Sequence, residues 1–448
     1  MKFILTNYIE IRQAPEDLLR KIRTAFTIEN PAWIDNHKMG RWQGRTDHWL
    51  TFFENHPGGL SIPRGAMGAI ISLCKELNIP YQIIDKRRTL PKGDFTFAGT
   101  LKPYQDQAVK EVMSRDFNVL QSPTGSGKTV MAMASIAERR QPALVIVHSK
   151  ELLTQWQQRI ETFLDIPRKE IGQIGNGKKR IGEKITVGIV NSLYRIAHDI
   201  RDRFGHLVID ECHRCPSRTF TEAVTAFDCK YMLGLSATPY RRDGLTKLIG
   251  WHLGRQVAVN PADLTENDII QNVEVVIRET DFTTNRDASA EYTRVLSELT
   301  EDGGRNRVIV NDIIKEASNG GGTCLVLTDR KAHCDTLADI LSKQGIKADV
   351  LTGEVSNGAR TAIVERLNAG QVRVLVATGQ LVGEGFDCKE LSTMFLATPI
   401  KFSGRVLQYL GRILRPAPGK DTAKIYDYVD INVPVLAASA RARQKVYG

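Results

Sequence analysis

The feature that most constrains this chain of 448 residues is a short glycine-containing loop between an apolar run and a helix-like run. The loop, residues 122–129, reads Ser-Pro-Thr-Gly-Ser-Gly-Lys-Thr and follows directly after residues 118–121, Asn-Val-Leu-Gln. Its glycines allow successive backbone N–H groups to turn toward a phosphate, Lys128 can reach the β and γ oxygens, and the Thr129 hydroxyl can bind Mg²⁺. The sequence therefore predicts a nucleoside-triphosphate site, with Ser122 where the usual pattern begins with glycine.

A second run, residues 207–213, has the continuous apolar character of a buried strand and ends in two adjacent carboxylates, Asp210 and Glu211. Asp210 is placed to hold Mg²⁺ through water, and Glu211 to polarise the water that attacks the γ-phosphate. Each run by itself has a simpler explanation. The loop would then be a glycine-rich turn without function, and the two acids would only cap a strand. Together the two runs predict an NTPase.

Further motifs resemble those of superfamily 2 helicases, and their order and spacing match. The sequence Asp-Glu-Cys-His at 210–213 resembles a DEAD/DEAH-type box, and Ser-Ala-Thr at 236–238 resembles the coupling motif. Residues 383–387, Gly-Glu-Gly-Phe-Asp, resemble the motif that joins the nucleotide to the second motor domain. Residues 408–415, Gln-Tyr-Leu-Gly-Arg-Ile-Leu-Arg, resemble the arginine-finger motif. The resemblance covers roughly residues 97–430.

The resemblance implies ATP and Mg²⁺ as cofactors and a role for each matching residue. Gln105 resembles the glutamine that reads adenine, and Ser236 with Thr238 is expected to couple the ATP site to the nucleic-acid site, although a turn before Pro239 is the alternative. The implied catalytic residues are Lys128, Glu211, Arg412 and Arg415. The implied Mg²⁺ ligands are Thr129 and Asp210. The implied ATP contacts are Gln105, Ser122, Thr124, Gly125, Ser126, Gly127, Lys128, Thr129, Gly385 and Asp387.

Within the superfamily, the chain is most similar to the XPB and UvsW group of double-stranded DNA translocases. Residues 240–243, Tyr-Arg-Arg-Asp, resemble the short Arg-Glu-Asp element of that group, with Arg242 in place of glutamate. Residues 30–65 resemble its small N-terminal DNA-engaging domain, where tryptophans interleaved with basic residues suit base stacking and phosphate contact. The alternatives are tryptophans that form the core of a small domain and basic side chains that are only solvated. The predicted DNA contacts are Trp33, Arg41, Trp42, Arg45, Lys150, Arg241 and Arg330.

Short β-rich runs alternate with helical segments from residue 97 onward, which predicts an α/β fold with parallel sheets. Because the pattern restarts near residue 323, we expect two tandem RecA-like parallel-sheet motor domains preceded by a small α+β N-terminal domain. The predicted boundaries are 1–90 for the N-terminal DNA-engaging domain, 97–258 for the helicase ATP-binding domain and 259–448 for the helicase C-terminal domain, with a thumb-like insertion expected within 263–322.

In the N-terminal domain, the residue pattern predicts individual elements. A strand is expected over residues 2–11 and a helix over 15–26. A hairpin is expected in which residues 49–53 pair with 60–62. The polar stretch 86–93 is predicted to be a linker to the first motor domain.

Composition limits the partner and the compartment. The formal net charge of +10 favours a polyanionic partner, and the charges are interspersed with apolar residues rather than gathered in a tail. No apolar run reaches ~18 residues and no signal-peptide pattern opens the chain, so we expect a cytoplasmic protein of a prokaryotic cell or a phage-infected host, with no membrane partner. The seven scattered cysteines fit a reducing compartment. Cys212 and Cys215 have the spacing of a zinc knuckle, but no second pair follows and no zinc site is expected.

We therefore expect an ATP-dependent DNA helicase or translocase that acts on double-stranded, forked or junction DNA. An RNA helicase of the same fold is one alternative, against which the basic N-terminal unit weighs. A motor subunit of a restriction, defence or repair complex, with a protein partner such as a nuclease, is another. An ATP-gated clamp that binds nucleic acid with negligible turnover is a third.

Overall fold

The structure is a computed structural model that describes residues 1–123, 125–214, 218–237, 245–260, 273–319, 322–379, 391–399 and 423–447. The chain divides into two compact units. The first comprises Met1–Ser122 with Gly127–Asn260, and the second comprises Pro123–Ser126 with Pro261–Gly448. None of the described helices combines the length and the apolar character that a bilayer crossing requires.

The N-terminal part of the first unit is an α+β arrangement. Its elements are β1 (Lys2–Leu5), β2 (Tyr8–Arg12), α1 (Glu16–Ala25), β3 (Thr27–Glu29), α2 (Pro31–Lys38), β4 (Trp49–Thr51), β5 (Glu54–His56), β6 (Gly59–Pro63), α3 (Met67–Glu76) and β7 (Gln82–Asp85). The main sheet has the order β5-β6-β2-β1-β7, and only β7 is parallel to its neighbour. The apolar face of α1, with Leu18 and Ile22 fully buried, packs on this sheet because its leucines and isoleucine recur at helical spacing.

Two of the predicted elements in this part are wrong. Residues 2–11 form two antiparallel strands, β1 and β2, rather than one, because the chain reverses between Leu5 and Tyr8. Residues 49–53 do not pair with 60–62: β4 pairs with β3, and β5 pairs with β6. The turn between β5 and β6 consists of two residues, of which Gly58 has φ +83°. This short turn pairs β6 with β5, the strand directly before it, so β4 pairs with β3 instead.

The rest of the first unit is a sheet with helices against it. Its strands are β8 (Phe117–Gln121), β9 (Ala143–Val147), β10 (Gly172–Gly175), β11 (Lys178–Arg180), β12 (Ile185–Ile189), β13 (His206–Ile209), β14 (Tyr231–Ser236) and β15 (Arg255–Ala258). Its helices are α4 (Pro103–Met113), α5 (Lys128–Arg139), α6 (Lys150–Leu164), α7 (Val190–Leu193), α8 (Ala197–Ile200), α9 (Arg218–Thr225) and α10 (Lys247–Leu253). The order is β11-β10-β12-β9-β13-β14-β8-β15, parallel except for β11. The residues of β9 are buried throughout, as expected of a parallel strand covered on both faces.

The second unit contains a six-stranded sheet in which all pairs are parallel. Its strands are β16 (Val273–Thr280), β17 (Thr323–Thr328), β18 (Ala348–Leu351), β19 (Val374–Thr378), β20 (Leu391–Leu396) and β21 (Ala423–Asp430). Its described helices are α11 (Tyr292–Glu301), α12 (Gly303–Ser318), α13 (Lys331–Lys343), α14 (Asn357–Asn368) and α15 (Pro434–Tyr447). The strand order is β16-β21-β20-β17-β19-β18.

Within residues 263–322, where a thumb-like insertion is expected, the described part joins the sheet and its core. β16 pairs with β21 over its full length, and Ile309, Val310 and Ile313 of α12 pack in the core of the sheet. The insertion stays a prediction, and residues 263–272 and 320–321 of this range lie outside the described residues.

The N-terminal part is anchored to the eight-stranded sheet of the first unit, hereafter called the first motor sheet after its predicted role, by a buried arginine. The Arg64 guanidinium, 3% exposed, donates to the carbonyl oxygen of Cys229 at 3.0 Å and to Sδ of Met232 at 3.3 Å. It also lies over the Phe117 ring, 5.1 Å from its centre. Burial lowers the pKa of this guanidinium from its usual value, yet the contacts with a carbonyl and a ring keep it a donor.

The stretch 86–93, predicted to be a linker, is also held in place. Arg87 pairs with Asp116 at 2.7 Å, and Arg88 pairs with Asp228 at 2.9 Å. A backbone bridge joins Arg88 to Cys229. These contacts tie the connection to the sheet at several points, so we expect the N-terminal part and the first motor sheet to move together.

Gly65 tests this docking, because a matched control lies three residues away. A Cβ on Gly65 would meet backbone atoms of Gly250 and Gly254 at 2.6 Å, which cannot yield as a flexible side chain would. We expect Gly65→Ala to lower the stability of the first unit by about 1–3 kcal/mol. Gly68→Ala, whose Cβ meets nothing within 4 Å, should leave the melting temperature unchanged or slightly raised. Thermal denaturation of the two variants measures the difference, and equal melting temperatures would show that the contact does not hold the parts together.

Candidate nucleotide site and nucleic-acid contacts

The predicted phosphate loop leaves the end of β8 and finishes where α5 begins, at Lys128. Gly125 has φ +91° and Gly127 has φ +86°, a backbone conformation that other residues adopt with strain. A Cβ on Gly127 would in addition lie 2.4 Å from Nε2 of Gln105, so the glutamine side chain would have to shift to admit it. The loop can therefore turn backbone N–H groups toward an anion beside the positive end of α5.

The backbone of Ser122 is where the loop, the lysine and a neighbouring strand meet. The Lys128 ammonium donates to the Ser122 carbonyl oxygen at 2.8 Å. The Ser122 N–H donates to the carbonyl oxygen of Ser236, at the end of β14, at 3.1 Å. Ser122 is fully buried, so the serine in the usual glycine position is built into the sheet rather than exposed in the loop.

The two predicted carboxylates follow directly after β13. The Asp210 N–H donates to the carbonyl oxygen of Ile146 at 3.0 Å, which extends the ladder between β13 and β9 by one bond. Glu211 has φ +51°, an uncommon conformation for a residue with a side chain, and its N–H donates to Oδ1 of Asp210 at 3.0 Å. The indole N–H of Trp156, on α6, donates to Oδ2 of Asp210 at 2.8 Å. The sequence motifs do not point to Trp156, because it lies 54 residues before Asp210 along the chain.

The surroundings shift the two carboxyl groups in opposite directions. Burial and the neighbouring Glu211 charge raise the pKa of Asp210 to about 6. Burial alone would also raise the pKa of Glu211, but its hydrogen bond with His213 and the charges of His213 and Lys128 lower it to about 2. Glu211 is therefore an ionised carboxylate at neutral pH, as a proton acceptor must be. Opposed shifts of this kind in adjacent acids are typical of functional sites.

His213 joins Glu211 to the predicted coupling motif. Its Nδ1 lies 3.2 Å from Oε2 of Glu211 and 3.1 Å from Oγ of Ser236. One ring nitrogen thus contacts both the carboxylate after β13 and the hydroxyl at the end of β14. The coupling role of Ser236 stays a prediction, and His213 is the group through which it would reach Glu211.

Gln105, the predicted adenine-reading residue, is buried and uses its amide locally. Its Oε1 accepts from the backbone N–H of Lys102 at 2.9 Å, and its Nε2 donates to the Tyr104 hydroxyl at 3.1 Å. The first of these bonds satisfies the backbone N–H of Lys102 at the start of α4. The close approach of Gly127 places the glutamine beside the loop, while its reading of adenine stays a prediction.

The residues at this site fit a magnesium ion. Thr129, the second residue of α5, supplies a hydroxyl and Asp210 supplies a carboxylate, and Mg²⁺ takes oxygen ligands of both kinds. Burial and the like charge of Glu211 both raise the pKa of Asp210. A divalent ion shared with the nucleotide phosphates would offset both causes.

The predicted N-terminal DNA contacts lie in a segment that is largely exposed, residues 30–51, hereafter called the arm. No residue of α2 is buried, and Trp42 is 89% exposed. The Trp33 ring stacks on His48, with ring centres 3.8 Å apart, and His48 stacks in turn on Trp49. Because these tryptophans are not enclosed, the alternative that they form a domain core does not describe them. Arg41 and Arg45 are exposed in the loop that follows α2.

The other described candidates for DNA contact differ in their surroundings. Lys150 is exposed at the first position of α6, after Ser149, whose hydroxyl caps the helix. Arg330 is partly buried and donates to the carbonyl oxygen of Thr293 at 3.1 Å, so its guanidinium also has a structural contact. Both DNA roles stay predictions.

Some predicted site residues lie outside the part of the chain that the structure describes. They are Thr124, Thr238, Arg241, Gly385, Asp387, Arg412 and Arg415. Their roles stay predictions from the sequence.

Comparison with known proteins agrees with the motifs. Residues 98–241 match the family model described as type III restriction enzyme, res subunit, and residues 306–417 match the helicase conserved C-terminal domain. The ATP-dependent DNA helicase uvsW of Enterobacteria phage T4 is 23% identical over 463 residues, covering 96% of this chain and 90% of that protein. The DNA 3'-5' translocase XPB2 of Sulfurisphaera tokodaii is 33% identical over 174 residues, covering 39% of this chain and 38% of that protein.

One more sequence relative and one solved structure are similar to this chain. An Acanthamoeba polyphaga mimivirus protein, named as an ATP-dependent RNA helicase, is 25% identical over 371 residues and covers 80% of this chain and 69% of its own. The solved helicase domain of Pyrococcus furiosus Hef has a TM-score of 0.51 at 16% identity, covering 73% of this chain and 95% of that one, which shows a shared fold. Two helicase-type domain models match the chain in order, and its relatives of this kind show that it is similar to the superfamily 2 helicases of the XPB/UvsW-like group.

Proposed function

We propose that this chain is an ATP-dependent DNA helicase or translocase that acts on double-stranded or branched DNA. The observation that carries the proposal is the arrangement after β8, β13 and β14, where a phosphate loop, a carboxylate pair and a coupling serine are linked by hydrogen bonds. The carboxyl ends of parallel strands are where open α/β sheets bind their ligands.

In this proposal each residue of the site has one task in ATP hydrolysis. The loop N–H groups hold the phosphates, and Lys128 leaves the Ser122 carbonyl to balance the charge on the transferred phosphoryl group. Glu211 orients the attacking water and accepts its proton. Thr129 and Asp210 would hold magnesium, which would supply positive charge to offset the charge that develops on the transferred phosphoryl group.

His213 offers a route from hydrolysis to movement. When Glu211 accepts a proton, its attraction for His213 weakens, because the carboxylate charge that the ring faces is lost. The bond from the same ring nitrogen to Ser236 then responds to the state of the nucleotide site. Thr238 and the arginines Arg412 and Arg415 are proposed to complete this coupling, on the basis of sequence alone.

DNA is the proposed nucleic acid, with the arm as one contact surface. The net charge of +10, the exposed Trp42 and Trp49, and the partly exposed Trp33 suit a partner with phosphates and accessible base faces. The relatives named as a DNA helicase and a DNA translocase support DNA as the substrate. Because another relative is named as an RNA helicase, RNA is tested as well. ATPase rates measured with single strand, duplex, fork, four-way junction and RNA decide between them. Stimulation by RNA alone would overturn the proposal.

A motor subunit of a larger complex is the second candidate. The family model matched by residues 98–241 is that of the res subunit of type III restriction enzymes, which favours a nuclease as partner. Co-purification of a nuclease with the tagged chain from the source cells, and nuclease-dependent function, would support it. A cytoplasmic location in a prokaryotic cell or a phage-infected host is part of both proposals.

The arm allows base stacking and phosphate contact to be separated. We expect Trp42→Ala to lower the affinity for a DNA fork by about 1–3 kcal/mol with little change in salt dependence, because an exposed ring contributes stacking. Arg45→Ala should reduce the slope of log K against log salt by about 0.9, since one phosphate contact is lost. Binding titrations at several salt concentrations measure both effects.

Arg20→Ala is the matched control for these variants. Arg20 is exposed on α1 and pairs with Asp17, at a distance of 2.9 Å, so its loss should change neither affinity nor slope. Wild-type binding by both arm variants would instead indicate that the arm docks a protein partner.

A further inference from the structure

Trp156 is buried at the site but belongs to none of the motifs considered above. It is 2% exposed on α6, and its indole N–H donates to Oδ2 of Asp210 at 2.8 Å. The other carboxylate oxygen, Oδ1, accepts from the backbone N–H of Glu211 at 3.0 Å. Both oxygens of the carboxylate are therefore held by donors from different elements, one from a helix and one from the strand end.

This pair of bonds determines which way the carboxylate can turn. A carboxylate oxygen has two lone pairs, so each donor leaves one lone pair on its oxygen for a further ligand. With only the Glu211 bond, the group could rotate about its χ2 torsion, which is a soft torsion in aspartate. The indole bond removes that freedom, because the Trp156 ring is itself enclosed in the core.

We propose that Trp156 is a positioning residue, whose indole N–H orients the Asp210 carboxylate for a divalent cation bound with the nucleotide. The inference rests on the proposed nucleotide site. It does not require Trp156 to touch the nucleotide or the ion. It resembles the general arrangement in which partners behind a metal ligand fix its orientation.

The competing explanation is that Asp210 merely satisfies a buried indole. Buried tryptophans usually find a partner for the N–H, so the bond alone does not distinguish the two roles. They differ in what the loss of the N–H changes. Loss of positioning affects cation-dependent binding, whereas loss of a structural bond affects the stability of the whole unit.

Trp156→Phe in the full chain removes the N–H and keeps an aromatic ring. We expect the Mg²⁺ concentration that half-saturates the enhancement of fluorescent ADP binding to rise about tenfold, the change that corresponds to one hydrogen bond to a charged group. ADP binding without Mg²⁺ should be unchanged. Trp251→Phe is the control. It makes the same chemical change elsewhere in the unit, where the Trp251 ring packs against Phe26 and Phe52.

A second readout needs no nucleotide and no activity. The chain has five tryptophans, so ¹⁵N-indole labelling gives five resonances, and the one lost in Trp156→Phe belongs to Trp156. In the nucleotide-free protein, Asp210→Ala should shift this resonance and speed its hydrogen exchange, while the Trp251 resonance stays in place. If Trp156→Phe does not fold, the Trp156 resonance is assigned by elimination, from single phenylalanine substitutions of the other four tryptophans.

The outcomes are distinct. An unshifted indole resonance in Asp210→Ala would overturn the inference, because no bond would then exist. If ADP binding by Trp156→Phe depended on Mg²⁺ as it does in wild type, the inference would also be overturned. The same holds if Trp156→Phe lost equal ADP affinity with and without Mg²⁺. If wild-type protein binds no nucleotide at all, the proposed function fails, and the positioning role for a nucleotide-bound cation fails with it, while the indole resonance still reports whether the bond exists.

Discussion

Lys128→Ala is expected to abolish ATP hydrolysis. The Lys128 ammonium lies 2.8 Å from the Ser122 carbonyl oxygen at the start of the phosphate loop, where it is poised for the β and γ oxygens. Removal of one preorganised group that stabilises transition-state charge lowers rates by about 10²–10³-fold, and a lysine that also binds the ground state should have at least this effect. Phosphate release measured under saturating DNA and ATP gives the rate.

Lys110→Ala is the matched control for that experiment. Lys110 is an exposed lysine on α4 of the same unit, paired with Asp106 at 2.6 Å one helical turn away. Exposed pairs of this kind contribute little to stability, so this variant should hydrolyse ATP as wild type does. If Lys128→Ala retained wild-type turnover, the loop would be a glycine-rich turn without catalytic function, and the central proposal would be wrong.

Glu211→Gln is expected to separate ATP binding from turnover. Glutamine keeps the size of the side chain and the unusual backbone conformation of Glu211, but it cannot accept a proton from water. Loss of a general base lowers rates by about 10²–10⁴-fold. The hydrogen bond and charge of His213 lower the pKa of Glu211, so the wild-type side chain is ionised at neutral pH, whereas glutamine carries no charge.

Two measurements decide the outcome for Glu211. Fluorescent-nucleotide titration should give nearly wild-type affinity, and single-turnover hydrolysis should give a rate that is strongly reduced. Glu111→Gln, an exposed glutamate on α4, is the control and should change neither. An affinity that falls as steeply as the rate would mean that Glu211 binds the nucleotide or its metal rather than activating water.

Much of the candidate site was predictable because its parts are local in sequence. Lys128 and Thr129 follow a strand and begin a helix within one continuous motif, and Asp210 and Glu211 are adjacent at the end of another strand. A parallel sheet brings the carboxyl ends of its strands to one edge, so motifs at strand ends are expected to converge without knowledge of the strand order.

The pairing of short strands was not predictable on the same basis. The predicted hairpin gives residues 49–53 the wrong partner, because the alternation of side chains marks a strand but does not say which strand lies next to it. The reversal between β1 and β2 was missed for a related reason, since Thr6 and Asn7 interrupt an otherwise strand-like run only briefly. Hairpin registers depend on turn geometry and on the packing of both faces, which local patterns do not contain.

The sequence by itself determined the motor class of this chain, two α/β units, and the residue types that bind a nucleoside triphosphate. Those features depend on residues within a few positions of each other, where backbone chemistry and periodicity act directly. Only the tertiary structure decided that Arg64 is buried against Cys229 and Met232, and that Trp156 holds Asp210. These contacts join residues more than 50 positions apart, and they form because folding brings a buried donor to an acceptor that has no access to water.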